Sequence, residues 1–104
     1  MRTGDEFRHT IRRGTKAARP TLVTHVVPGN GGTTSVGFVV SKAVGGAVTR
    51  NRVKRRLRHL MRERLSSLPA GSRVVVRALP ASAEQSSESL AADLDRALAR
   101  AGAR

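Results

Sequence analysis

A chain of 104 residues with 20 Lys and Arg against 7 Asp and Glu, a formal net charge of +13, has room for one domain, 1–104, and a surface suited to a polyanion. It has no cysteine, which excludes disulfide staples, thiolate metal sites and cysteine nucleophiles. No apolar run approaches the roughly 20 residues that span a bilayer, and the start MRTGDEFRHT lacks the apolar core of a signal peptide, so a cytoplasmic protein without a membrane partner is expected.

Residues 3–13 read as a first helix, with Thr3 as N-cap, Asp5 and Glu6 in the first turn, Arg12 and Arg13 at the end and Gly14 as the stop. Two β-branched runs, TLVTHVV (21–27) and SVGFVVS (35–41), flank PGNGGTT, which predicts a β-hairpin. Lys42 to Gly46 is a short glycine-bearing connection. From Val48 the period becomes helical: Val53, Leu57, Leu60, Met61, Leu65 and Leu68 recur on one face until Pro69-Ala-Gly71 ends the run. RVVVRAL (73–79) reads as an interior strand parallel to one hairpin strand. After a polar link at 82–88, Leu90, Leu94, Ala97, Leu98 and Ala101 mark a last amphipathic helix. The order α-β-β-α-β-α predicts an α+β fold with a three- or four-stranded sheet and helices packed on it.

The charge is uneven. Residues 1–77 carry a net +14 and residues 78–104 a net −1, so the polyanion surface belongs to the first three quarters. Arginine supplies 17 of the 20 cations, and its planar fork pairs phosphate oxygens and stacks on bases, which suits nucleic acid better than a diffuse lysine coat would. On the long helix Asn51, Arg55, Arg58 and Arg62 fall opposite the apolar arc, with Arg52, Arg56 and His59 flanking it. A basic helix face is often only solvated, but between Arg50 and Arg64 eight cations meet one acid, Glu63, and a polyanion would relieve that repulsion. Arg50, at the helix mouth, is placed where unsatisfied backbone N–H groups also favour a phosphate.

The stretch SKAVGGAVTRNRVKRRLR resembles the signature of the bacterial ribonuclease P protein subunit, and DEFRHTIRRG and RVVVRALPAS resemble that family's first helix and late strand. The resemblance implies a sandwich like domain 2 of ribosomal protein S5 with a left-handed βαβ crossover, against the right-handed default. It implies that a catalytic RNA with Mg²⁺ cleaves precursor tRNA while the protein supports that RNA and contacts the substrate's 5′ leader. By the same resemblance Lys42, Arg50, Asn51, Arg52, Lys54, Arg55, Arg58 and Arg62 form the RNA-binding set. The leader would lie in a cleft between the first helix and the sheet, with Phe7, Ile11, Arg12, His25 and Phe38 as candidate lining.

The family often has aromatic residues where this chain has Ile11 and His25, and a second lysine where it has Ala43, so the resemblance implies less stacking and one phosphate contact fewer. By residue type alone Phe7 and Phe38 are core residues and His25 an ordinary strand histidine. His9, His25 and His59 lack metal-ligand spacing, Gly45-Gly46 lacks Walker spacing, and no Ser/His/Asp set appears, so no catalytic residue, resident metal or small-molecule substrate is expected. A structural RNA-binding protein, such as a ribosomal one, is the alternative with the same fold and charge. A protein-only nuclease would need a carboxylate cluster that the sequence does not offer.

Overall fold

In the computed structural model, which describes residues 4–29 and 31–100, the valine run near residue 75 is the centre of the fold. Strand β4 (Arg73–Ala78) is bonded on both edges, antiparallel to β2 (Leu22–Val27) and parallel to β3 (Ser35–Val39). A short strand β1 (Thr15–Ala18) pairs antiparallel with the other edge of β2, so the sheet order is β1-β2-β4-β3. Val74, Val75 and Val76 are fully buried, as a strand covered on both faces requires.

The expected hairpin between 21–27 and 35–41 does not form, because β4 lies between the two strands and Val74 pairs with Val26 on one side and Val36 on the other. The PGNGGTT segment therefore spans two inter-strand gaps, about 10 Å, instead of making a tight turn. It passes over the start of β4, where Gly31 N–H donates to Ala70 O at 2.8 Å and Gly29 N–H donates to Ser72 Oγ at 3.3 Å. Gly71 there has φ +83°, and a Cβ on it would collide with the Gly31 backbone. The hairpin of this fold lies one strand earlier: β1 and β2 are joined by a turn in which Arg19 N–H donates to Leu22 O at 2.8 Å. The TKAA sequence of β1 carries no β-branched alternation that would have marked it.

Helix α1 (Gly4–Arg13) ends at Gly14, whose N–H donates to Thr10 O at 2.8 Å and where a Cβ would come 2.9 Å from Val26 N. Thr3 and Ala101, expected in the first and last helices, lie outside the described residues. Helix α2 (Ala47–Arg62) buries Val53, Leu57, Leu60 and Met61; it stops earlier than expected, and Leu65–Ser67 continues as a 3-10 turn that seats Leu68 in the core. A second 3-10 turn, Pro80–Ala83, occupies part of the expected polar link, pinned by Ser82 Oγ donating to Leu79 O at 2.7 Å. Helix α3 (Ser87–Arg100) buries Leu90, Leu94, Ala97 and Leu98, and Ser86 Oγ caps it by accepting Ser89 N–H at 3.1 Å.

Alternation along the strands separates the two faces. Leu22, Val26, Val74, Val76 and Ala78 face α2 and α3 and form the main core with them. Gly37, His25 and Val75 face the opposite side, where α1 packs with the ring of Phe7 against Gly37. The buried carboxylate of Asp93 ties α3 to the sheet by accepting Thr21 N–H at 3.1 Å and Thr21 Oγ1–H at 2.7 Å. Among the described residues no helix is long and apolar enough to cross a membrane.

Candidate nucleic-acid interface

Helix α2 begins without compensation for its own positive end. Its N-cap is Gly46, which offers no side-chain acceptor, and no acid stands in its first turn. Arg50 closes the first helical turn, its N–H donating to Gly46 O at 2.9 Å. The unsatisfied N–H groups belong to the preceding residues, and Arg50 contributes only its side chain.

The apolar stripe of α2 is fixed by the sheet beneath it, which forces the intervening positions outward. Asn51, Lys54, Arg55 and Arg58, at helical spacing, line one shallow cavity of about 270 Å³ on that exposed stripe, and Arg62 is exposed one turn further on. No acid lines this cavity. Arg64 is withdrawn from the surface: Asp95 accepts its Nε–H at 2.6 Å and an Nη2–H at 3.3 Å, which clamps the end of α2 to α3. The Asp95 hydrogen bonds raise the Arg64 pKa further above its ordinary value, outweighing the opposing effect of burial. Glu63 is likewise engaged, by His59 Nε2 at 2.9 Å.

A second cavity, about 520 Å³, opens at the β3 edge of the sheet between α1 and the first turns of α2. Phe7, Phe38, Val39, Arg50, Asn51 and Lys54 line it. Phe7 reaches it from α1 and Phe38 from the opposite face of the sheet, so the two half-buried rings line it from either side of an edge strand. The Arg50 Nε is buried in the protein without a hydrogen-bond partner, a donor that a ligand oxygen in the cavity would satisfy. Two aromatic rings beside two cations and an amide suit a nucleotide: base on ring, phosphate on cation.

The structure therefore joins Phe7 and Phe38 to Arg50, Asn51 and Lys54, and separates the other cleft candidates from them. Ile11 is 37% exposed and lines neither cavity. Arg12 sits with Arg8, His9 and Arg13 around a cavity on the outer side of α1. His25 is 5% exposed, in β2 between Lys16 of β1 and Val75 of β4, and its Nδ1 has no partner in the protein. Burial, and then the charges of Lys16 and Arg77, hold the His25 imidazole below its ordinary pKa. Lys42 is exposed in the turn before α2 and lines neither cavity. Among the described residues no three His, Asp or Glu side chains gather as a metal site requires.

Sequence reasoning missed a further recess, between α2 and the start of α3, lined by Val48, Arg52, Arg55, Arg56, Leu60 and Ser87 among others. The four-residue interval from Val48 through Arg52 and Arg56 to Leu60 was the available signal, and Val48, where the helical period begins, is 83% exposed.

The model of the Ribonuclease P family matches residues 1–102. The chain is 56% identical over 106 aligned positions to the ribonuclease P protein component of a Nocardioides species, covering 99% of this chain and 91% of that protein. It is 53% identical over 109 positions to the protein component of Streptomyces avermitilis, covering 96% of this chain and 89% of that one. In fold it is similar to the RNase P protein of Staphylococcus aureus, with a TM-score of 0.87 at 22% identity over 99% of this chain and 94% of that one. The Thermotoga maritima RNase P protein in complex with 1-(4-fluorophenyl)-2-thiourea matches with a TM-score of 0.84 at 22% identity, over 96% of this chain and 97% of that one. These matches agree with the fold, the Arg50-Asn51-Arg52 helix start and the cationic stripe that follows it: the chain belongs to the ribonuclease P protein component family.

Proposed function

We propose that the outward stripe of α2 binds the catalytic RNA of ribonuclease P and that the Phe7/Phe38 cavity takes part of the 5′ leader of precursor tRNA. As a ribonuclease P protein component the chain is a subunit of an endoribonuclease that acts in tRNA processing. Cleavage is assigned to the RNA subunit with Mg²⁺, in the cytoplasm, and the chain contributes charge and position. The family reading also carries the likeness to domain 2 of ribosomal protein S5 and a left-handed β3-α2-β4 crossover.

The observation that carries this reading is the junction at Asn51 and Lys54, which line both the cationic surface and the aromatic cavity. One RNA on the stripe and one strand in the cavity would thus be held side by side on a single rigid helix. Arginine forks neutralise phosphates on the stripe, and the rings offer a sequence-tolerant face to a leader base. Position then becomes rate, because a strand held beside the catalytic RNA needs no further search.

The test compares binding of the reconstituted holoenzyme to precursor tRNA with a leader and to the leaderless product. The leader is expected to tighten binding, and Phe7→Ala to remove most of that difference while leaving affinity for the leaderless product unchanged. An equal effect of Phe7→Ala on both RNAs would remove the leader from this cavity.

A further inference from the structure

Helix α2 turns a second stripe away from the phosphate-binding one, toward the Pro80–Ala83 turn and the first residues of α3. Val48, Arg52, Arg56 and Leu60 follow one another at four-residue intervals there and, with Arg55 and Ser87, wall a groove of about 560 Å³. That size falls within the roughly 300–1,000 Å³ of small-ligand sites. A single exposed valine needs no explanation. Val48, however, is 83% exposed at the mouth of a groove whose other walls include Leu60 and three arginines, whose stems extend its apolar lining.

Two of those arginines are held in place. Arg52 Nη2–H donates to Ala83 O and Arg56 Nη1–H donates to Gln85 O, each at 3.4 Å. One N–H of each fork is thereby tied to the backbone opposite, which anchors the side chain at the wall, while a guanidinium carries further donors and a planar face that a ligand can use. Helix α2 itself carries no acid, and Glu63, its C-cap, is taken by His59, which also lines the groove. A ligand that suits this groove is flat and apolar on its faces and carries negative charge at its edge. A nucleobase with its phosphate meets both requirements, and RNA recognition commonly stacks an unpaired base on a guanidinium plane. An acidic peptide would satisfy the charge alone.

We propose that this groove seats one unstacked nucleobase of the RNA subunit, against Val48 and the guanidinium planes of Arg52 and Arg56, with Arg55 on an adjacent phosphate. The proposal rests on the reading that α2 faces the RNA subunit, and adds a base contact to a surface otherwise argued from phosphates.

Val48→Ser removes the apolar lining and Ser87→Phe fills the groove; both leave the net charge unchanged and both positions are exposed. Affinity for a bacterial ribonuclease P RNA is measured over a salt series for the wild type, both variants and Arg58→Ala. The two groove variants should bind about fivefold or more weakly at every salt concentration with an unchanged log-log slope, since stacking releases no counterions. One nucleotide of the RNA should be protected from base-specific modification by the wild type and not by Val48→Ser. Wild-type affinity in both groove variants, with no nucleotide losing protection, overturns the base seat, as does loss of polyglutamate binding by variants that hold RNA normally. In those events a slope lowered by Arg58→Ala still upholds RNA binding by α2, whereas a wild type that does not bind the RNA ends both readings.

Discussion

The ring of Phe7 lies across the backbone of Gly37, where a Cβ would run into the edge of the ring. An aromatic from α1 is thus held over the β3 edge strand by the absence of a side chain beneath it, and this positions it in the cavity with Phe38 and Arg50. Gly37→Ala should push the ring outward. Because the obstacle is the tip of a side chain, the stability cost should be near the low end for overpacking, about 1 kcal/mol. Leader-dependent affinity should fall more than stability does, and denaturant unfolding beside precursor tRNA binding separates the two.

Arg55→Ala and Arg58→Ala should each weaken binding to the RNA subunit and reduce the slope of log affinity against log salt by about one unit, the share of one phosphate contact. Arg64→Ala should leave that slope alone, since its guanidinium is held by Asp95 and does not face the RNA surface. A salt titration of the variants checks both statements. An unchanged slope in Arg55→Ala and Arg58→Ala together moves the interface off this helix.

His25 should make the protein less stable just below neutral pH. Its folded pKa is lowered by burial and by Lys16 and Arg77, so the unfolded chain takes up a proton first as pH falls through about 6.5. Stability is therefore full above that value and declines below it until the folded imidazole also titrates. His25→Gln should flatten the decline between pH 7 and 5, as read by thermal unfolding across that range. A decline equally steep in the variant would place its origin elsewhere.

Asp93 should act in a lower window. Burial alone would raise its pKa, but hydrogen bonds from the Thr21 hydroxyl and amide and from Arg19 outweigh that effect and leave it lowered. The stabilisation is present above the ordinary carboxylate value of about 3.9 and is lost as pH falls through the lower folded one. Asp93→Ala should cost about 1–3 kcal/mol at pH 7, since the buried Thr21 donors lose their acceptor. Unfolding of wild type and variant at pH 7 and at pH 3 should show the difference shrink in acid.

What could be read without the structure followed physical period. The buried valines of β4, the apolar stripe of α2 from Val53 to Met61 and the stripe of α3 from Leu90 to Leu98 all lie where spacing placed them. Pairing was not legible in the same way, since PGNGGTT has the chemistry of a tight turn whether it closes a hairpin or crosses the end of another strand. Only the long-range contacts of Gly29 and Gly31 with residues 70–72 decide between them. Strand β1 escaped notice because Thr-Lys-Ala-Ala has weak strand propensity and is held by its partner β2. At the site, the cations of α2 were legible from charge and period. The burial of His25, the outward turn of Val48 and the placing of Phe7 and Phe38 on one cavity beside β3 were not, because each depends on which element packs alongside.

The most direct test of the central claim is cleavage of a 5′-extended precursor tRNA by a bacterial ribonuclease P RNA at low Mg²⁺, with and without this protein. The protein should accelerate cleavage by the RNA, and alone it should cleave nothing. Tight RNA binding without acceleration would contradict that claim in favour of a structural RNA-binding protein, and cleavage by the pure protein would contradict the assignment of the chemistry to RNA.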